Sequence, residues 1–203
     1  MGISEVNANL ILASASPRRK ALLNQIGVVF RVIVSDIDET ALDREMPGDY
    51  VCRLAREKAL DVMGGADRSL PVLGADTAVI IDGCILGKPE DRAHAIDMLE
   101  QLSGHTHEVW SAVALVLCNG AILERLNVTK VTFATLGRGW IEAYCDSGDP
   151  MDKAGAYGVQ GMAAQKISRL EGSYSGVMGL PLHETSAILN ETGLLNDFVQ
   201  PEQ

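Results

Sequence analysis

Two short turn signals constrain the fold more than any other feature of the chain. Asp82-Gly83 and Asn119-Gly120 each stand between β-rich runs, and such dipeptides favour the left-handed backbone of a tight hairpin. A hairpin joins antiparallel neighbours, which excludes an all-parallel sheet. Ahead of them strands and helices alternate. An apolar run at Asn9–Ala13 leads to a helix over Pro17–Gln25 stopped by Gly27, then a strand over Phe30–Val34 and a helix from Tyr50 to about Met63 capped by Asp49. Leu70–Ala75 and Ala78–Ile81 read as two β pieces interrupted at Asp76-Thr77, and Cys84–Leu86 returns from the first turn. Pro89-Glu90-Asp91 opens a third helix ended by Ser103-Gly104; Val109–Leu117 is a central strand, and Ala121–Thr135 its hairpin partner. A helix over Arg138–Asp146, a loop over Ser147–Gly161, a strand over Ala163–Leu170 and a helix over Leu182–Asn190 complete the chain. The pattern predicts an α/β fold with a mixed, partly antiparallel twisted sheet and flanking helices.

The 203 residues carry 17 Lys and Arg against 27 Asp and Glu, a formal net charge of −10. That balance argues against a general nucleic-acid binder, whose affinity comes from clustered cations. With 47% hydrophobic and 22% charged residues the chain can bury a core, and its length suits one unit over residues 1–203. Cys52, Cys84, Cys118 and Cys145 lack a Cys-x-x-Cys pair and read as reduced, buried residues. The polar N-terminus and the absence of a long apolar window predict no membrane span and a cytoplasmic protein.

Four constellations could carry chemistry. In Ser14-Ala15-Ser16-Pro17-Arg18-Arg19, Ser16 caps a helix whose N-terminus, flanked by two guanidinium groups, suits a phosphate; taken alone, an ordinary capped helix with solvated arginines is favoured. Asp76 in Gly74-Ala75-Asp76-Thr77 can take a proton or hold a divalent cation, with a turn aspartate an equal alternative, and Lys88 in Gly87-Lys88-Pro89 can return toward it or stay solvated. Asp36-Ile37-Asp38-Glu39 offers three carboxylates to Mg²⁺ or Mn²⁺, although such loops are more often hydrated. Arg53 to Lys58 reads as a helix face with surface ion pairs. The run Asp152 to Gly161, with three glycines, implies a backbone that approaches something closely; Gln160 can present a buried amide to a base or sugar edge and Lys153 a point charge to phosphate. His105-x-His107 lacks a third matching ligand and reads as ordinary loop or strand histidines, and Met162 and Met178 as core fillers.

Taken in order, Ser-x-Ser-Pro-Arg-Arg, Gly-Ala-Asp-Thr before Gly-Lys-Pro, Leu-Ser-Gly-x-x-His, Asp-Lys-Ala-Gly-Ala-Tyr-Gly-Val-Gln-Gly and Val-Met-Gly-Leu-Pro-Leu resemble the Maf family of nucleoside triphosphate pyrophosphatases, from Leu10 to Leu182. The Asp152–Gly161 run resembles the branch that acts on dTTP and UTP more than the branch that acts on 7-methyl-GTP. The resemblance implies hydrolysis at the α-phosphorus to a monophosphate and pyrophosphate, a Mg²⁺ or Mn²⁺ cofactor, a two-lobed fold of the Maf and ITPase type around a central cleft, and a homodimer. Residue by residue it implies Asp76 as proton acceptor, with Glu39 helping it with metal or water. Ser14, Lys58 and Lys88 would hold phosphates, and Arg18 or Arg19, Thr77 and Gln160 would govern substrate choice. The chain departs from the family pattern at Ser111, where threonine is usual, at Arg138-Gly139-Trp140-Ile141, and at Asp149, where glutamate is common. The competing readings are 7-methyl-GTP specificity and a non-catalytic nucleotide-binding regulator of septum formation.

Overall fold

The structure, a computed structural model, describes residues 8–65 and 69–195; Met1 to Asn7 of the polar N-terminus lie outside it. Seven strands form one sheet in the order β2 (Phe30–Val32), β1 (Leu10–Leu12), β3 (Val72–Ile81), β5 (Thr106–Val116), β6 (Ile122–Phe133), β7 (Ile167–Glu171), with β4 (Cys84–Leu86) also paired to β3. β1 runs parallel to β2 and β3, and the other pairs are antiparallel, so the sheet is mixed as expected. Asp82 and Gly83 both have positive φ, the geometry of the tightest hairpin turns, while Gly120 at φ 85° closes a three-residue loop sealed by Leu117 and Ala121. The helices are α1 (Pro17–Gln25), α2 (Pro47–Gly64), α3 (Arg92–Leu102), α4 (Arg138–Asp146), the short α5 (Tyr174–Met178) and α6 (Leu182–Glu191). Among the described residues no helix is long and apolar enough to cross a membrane.

β3 differs from its expected form in a way that matters for the site. It runs unbroken through Asp76 and Thr77, because β5 pairs with it residue for residue: Asp76 faces Ala112 and Thr77 faces Ser111 across the ladder. Cross-strand hydrogen bonding on a buried strand outweighs the weak β-propensity of an aspartate. Its other edge is divided. β1 pairs only as far as Leu73 and β4 begins only at Val79, so the sheet opens beside the middle of β3. Two cores flank that opening. One, with Val79, Leu99, Val131, Phe133 and Tyr144, lies under α3 and α4; the other, with Leu10, Leu23, Leu73, Leu115 and Ile188, lies under α1 and α6.

α2 packs across the opposite face of β3 through Ala55, Ala59 and Gly74. It begins at Pro47 rather than Tyr50: Met46 caps it without a side-chain bond, Pro47 needs no amide partner in the first turn, and Asp49 sits inside that turn. Residues Met162–Lys166 form a tight 3-10 turn, and the last strand starts only at Ile167; Ala, Gln and Lys favour strands weakly. Of the cysteines, Cys145 alone is buried; Cys84 and Cys118 are exposed beside the hairpin turns and Cys52 is half-buried, all four free. Met162 is exposed, whereas Met178 packs on the α1 and α6 core.

Candidate active site

The opening beside β3 is a cleft of about 610 Å³, and Ser14, Arg18, Arg19, Glu39, Lys58, Asp76, Thr77, Lys88, Lys153 and Gln160 all line it. These residues come from six separate segments, brought together by the split in the sheet.

The first wall is the turn from β1 into α1. The Ser16 hydroxyl accepts the Arg19 amide at 3.4 Å, and Pro17 follows as a first-turn residue without a donor to lose. The buried Ser14 Oγ accepts the Ser16 amide and, at 3.4 Å, Nη1 of Arg19. Arg19 Nε donates to the Gly179 carbonyl at 2.8 Å. The Val-Met-Gly-Leu-Pro run thus aims an arginine, a part that sequence reasoning left unassigned. A signal was present, since Gly179 has φ 120°, a backbone few other residues adopt. Arg18 turns away from its neighbour and donates to Asp152.

The floor is an acid–base–acid bridge. Lys58 Nζ lies 2.7 Å from Asp76 Oδ1 and 2.7 Å from Glu39 Oε1. Lys58 and Asp76 are buried, so the surface face expected on α2 does not hold for Lys58; Arg53 makes the expected kind of ion pairs, with Glu45 and Glu57, but its side chain is largely buried. The same Arg53 donates to the Thr40 carbonyl and Tyr50 donates to the Glu39 carbonyl, which ties the acidic loop to α2. Of the three loop carboxylates only Glu39 lines the cleft; Asp38 accepts the Thr40 amide in its own turn. Burial raises the pKa of Asp76, with Lys58 and Arg19 opposing the rise. Glu39 is half-buried, which also raises its value, but its hydrogen bond to Lys58 and the charges of Lys58, Lys88 and Arg19 prevail and hold it below the ordinary carboxylate range. Thr77 Oγ1 lies 2.8 Å from the fully buried Ser111 Oγ, so the serine keeps a hydroxyl where the family pattern has threonine.

The far wall is the 152–161 loop. Its glycines admit the protein's own side chains: a methyl on Gly158 would fall 2.8 Å from Lys153 Cε, and one on Gly155 would fall 2.9 Å from Val79. The close approach inferred from composition is therefore internal. Lys153 is correspondingly committed, its ammonium donating to the Asp149 carbonyl, to Asp149 Oδ1 and to Asp152 Oδ1, which uses the three donors it has. Gln160 is exposed at the rim rather than buried. Gly155 donates to the carbonyl of Gly87, which joins this loop to the hairpin that carries Lys88.

Under the loop, Tyr157 Oη lies 2.7 Å from His107 Nε2, and Phe133 contacts both rings. His105 is exposed just before the strand, so the two histidines share no site. Burial pushes the pKa of His107 down to about 4, and a proton on its buried Nδ1 finds no acceptor among the described residues. The unfolded histidine titrates near about 6.5. The unfolded chain therefore binds more protons between these values, and stability falls as pH drops through that window. Urea unfolding at pH 7 and pH 5 is expected to differ by about 2 kcal/mol on this account. His107→Asn flattens that difference; an equal difference in both proteins removes His107 as its source.

A cleft with cations on one wall, paired carboxylates on its floor and a helix N-terminus beside them suits a polyanion that brings a divalent cation. Residues 9–192 match the family described as Maf-like protein. A dTTP/UTP pyrophosphatase of Methylobacillus flagellatus is 50% identical over 186 residues, 91% of this chain and 93% of the relative. A dTTP/UTP pyrophosphatase of Escherichia coli O157:H7 is 49% identical, covering 93% and 95%. The structure of a HAM1 protein from Coxiella burnetii, 19% identical with a TM-score of 0.50 over 91% of this chain and 100% of that one, shares the fold. Half of all positions kept across nine-tenths of both chains, with the motif residues gathered in one cleft, leave a single assignment: the chain belongs to the Maf family.

Proposed function

We propose that the protein hydrolyses dTTP and UTP to the nucleoside monophosphate and pyrophosphate, by attack of water on the α-phosphorus. The observation that carries this reading is the Asp76–Lys58–Glu39 bridge, set in the gap between β1 and β4 and facing Arg19. The activity by which relatives sharing half the sequence are named supports the choice of substrate.

Phosphoryl chemistry asks a protein mainly to position the phosphate chain and neutralise charge on its oxygens. Asp76 accepts the proton of the attacking water. The water oxygen bonds to the α-phosphorus as the bond to the α,β-bridging oxygen breaks, and pyrophosphate leaves with that electron pair. Lys58 holds Asp76 and Glu39 within reach of one point and favours the ionised form of Asp76 against its burial. Ser14, Arg19 and Lys88 receive the phosphates, while Thr77 and Gln160, with Arg18, face the nucleoside.

Glu39 and Asp76 fit Mg²⁺ or Mn²⁺, since two hard carboxylates already converge on one cation. Among the described residues no group of three ligating side chains exists, which suits an ion that completes its shell with phosphate oxygens and water. Such an ion would neutralise charge on the phosphate oxygens when bound.

The test is purified protein with Mg²⁺ and UTP, dTTP, CTP or 7-methyl-GTP. Monophosphate and pyrophosphate from UTP and dTTP are expected. Orthophosphate as product overturns the site of attack, faster turnover of 7-methyl-GTP moves the protein to the other branch, and binding without product over hours supports a regulator.

A cytoplasmic homodimer of one-unit, two-lobed protomers completes the proposal. Ile122, Leu126 and Val128, exposed at even positions on one face of β6, support a partner there. Light scattering is expected to give twice the monomer mass; the monomer mass sinks that part.

A further inference from the structure

We propose that Asp152 is the positioning residue that sets base selectivity, by holding Arg18 at the nucleoside end of the cleft; the inference rests on the pyrophosphatase reading above. Asp152 lies 134 positions from Arg18, yet its Oδ2 accepts Arg18 Nη1 at 2.9 Å, and its Oδ1 accepts Lys153 Nζ at 2.6 Å. Each carboxylate oxygen therefore serves a cation that lines the cleft, one from α1 and one from the 152–161 loop.

The bridge contributes little to stability. The Asp152 side chain is 63% exposed, and solvent screens such pairs strongly. Its consequence is directional. Arg18 and Arg19 are neighbours on one helical turn, but Arg19 is drawn to the Gly179 carbonyl and Ser14, whereas Arg18 is drawn across to the loop that carries Gln160. Asp152 thus separates two adjacent guanidinium groups into two tasks. Arg19 stays beside Asp76 for phosphate, and Arg18 is kept from swinging toward the same phosphates.

An arginine offers donors only. Held at the 4-position of the base, it suits uracil and thymine, whose O4 accepts there, over cytosine, whose amino group donates there. With the carboxylate gone, Arg18 follows the strongest nearby anion, the triphosphate, and this preference goes with it.

Asp152→Asn keeps size and removes charge. The expected result is a roughly tenfold fall in kcat/KM for UTP, the scale of one charge-assisted hydrogen bond. The fall lies in KM with kcat nearly unchanged, CTP is little affected, and the UTP-to-CTP preference collapses. Asp152→Glu restores much of that preference. A lower KM for all triphosphates alike overturns the inference, since Asp152 is then only an internal anion competing with phosphate. An unchanged UTP-to-CTP ratio overturns it as well, with or without a change in melting temperature. Wild-type protein that makes no pyrophosphate from UTP refutes the underlying activity instead; the same UTP-to-CTP comparison, made as binding affinity by calorimetry on both proteins, then decides the role of Asp152 separately.

Discussion

Asp76→Asn is expected to lower turnover by about three orders of magnitude, within the range that a general base supplies, while nucleotide still binds. The amide matches the carboxylate in size and cannot accept a proton from water. Lys58 keeps Glu39 at 2.7 Å as its remaining partner, so it is not left buried beside no anion at all. That distinction matters because an orphaned buried charge is costly. The fold is therefore expected to persist, with Arg19 still fixed by Gly179 and Ser14. Pyrophosphate release measures the loss, and titration calorimetry with UTP measures the retained binding. Turnover within tenfold of wild type would remove Asp76 from the role of base.

Gly74→Ala carries the largest expected effect on stability. A methyl there would lie 2.1 Å from the Ala55 carbonyl oxygen, 2.9 Å from the Ala59 amide nitrogen and 3.1 Å from the Ala59 methyl. All three belong to α2, and two are backbone atoms that no rotamer change can move. The helix must lift from β3, at a cost of about 3 kcal/mol. Lys58 adjoins Ala59 on that helix, so lifting it also opens the 2.7 Å contact with Asp76. Activity should therefore fall even in the fraction that remains folded. Gly64→Ala, at the end of the same helix with nothing within 4 Å, is the control and should cost nothing. Urea unfolding of both variants makes the comparison, and equal stability would mean that the close approach of α2 to β3 is not tight.

Much of the local architecture was legible in the residues. Ser16 before Pro17 marks the start of α1, Asp91 caps α3 through the His94 amide, and the two hairpins fall where Asp-Gly and Asn-Gly stand. Departures occur where the surroundings override local preference. Asp76-Thr77 looks like a break, yet β5 pairs through it. Lys58 sits in a charged helical run and looks solvated, yet it is buried because α2 lies over Gly74 and faces two carboxylates. The glycine-rich loop signals close approach correctly, but its partners are Val79 and Lys153 of the same chain, which composition does not identify. The contacts of Ser111 with Thr77, of Gly179 with Arg19 and of His107 with Tyr157 are not legible in the sequence, because each joins residues far apart in it.

By itself the sequence determined the hairpins, the capped helices, the mixed sheet and the set of residues able to handle a polyanion, since these follow from backbone preference and side-chain chemistry within a few positions. Tertiary structure alone decided which charges meet: that Arg19 turns to Gly179 and Arg18 to Asp152, that Lys153 is spent on its own loop, and that Lys58 joins Asp76 to Glu39. Ion pairs and hydrogen bonds depend on separations of a few ångströms between segments up to 160 positions apart. Only the opening between β1 and β4, and the packing of α2 across β3, set those separations.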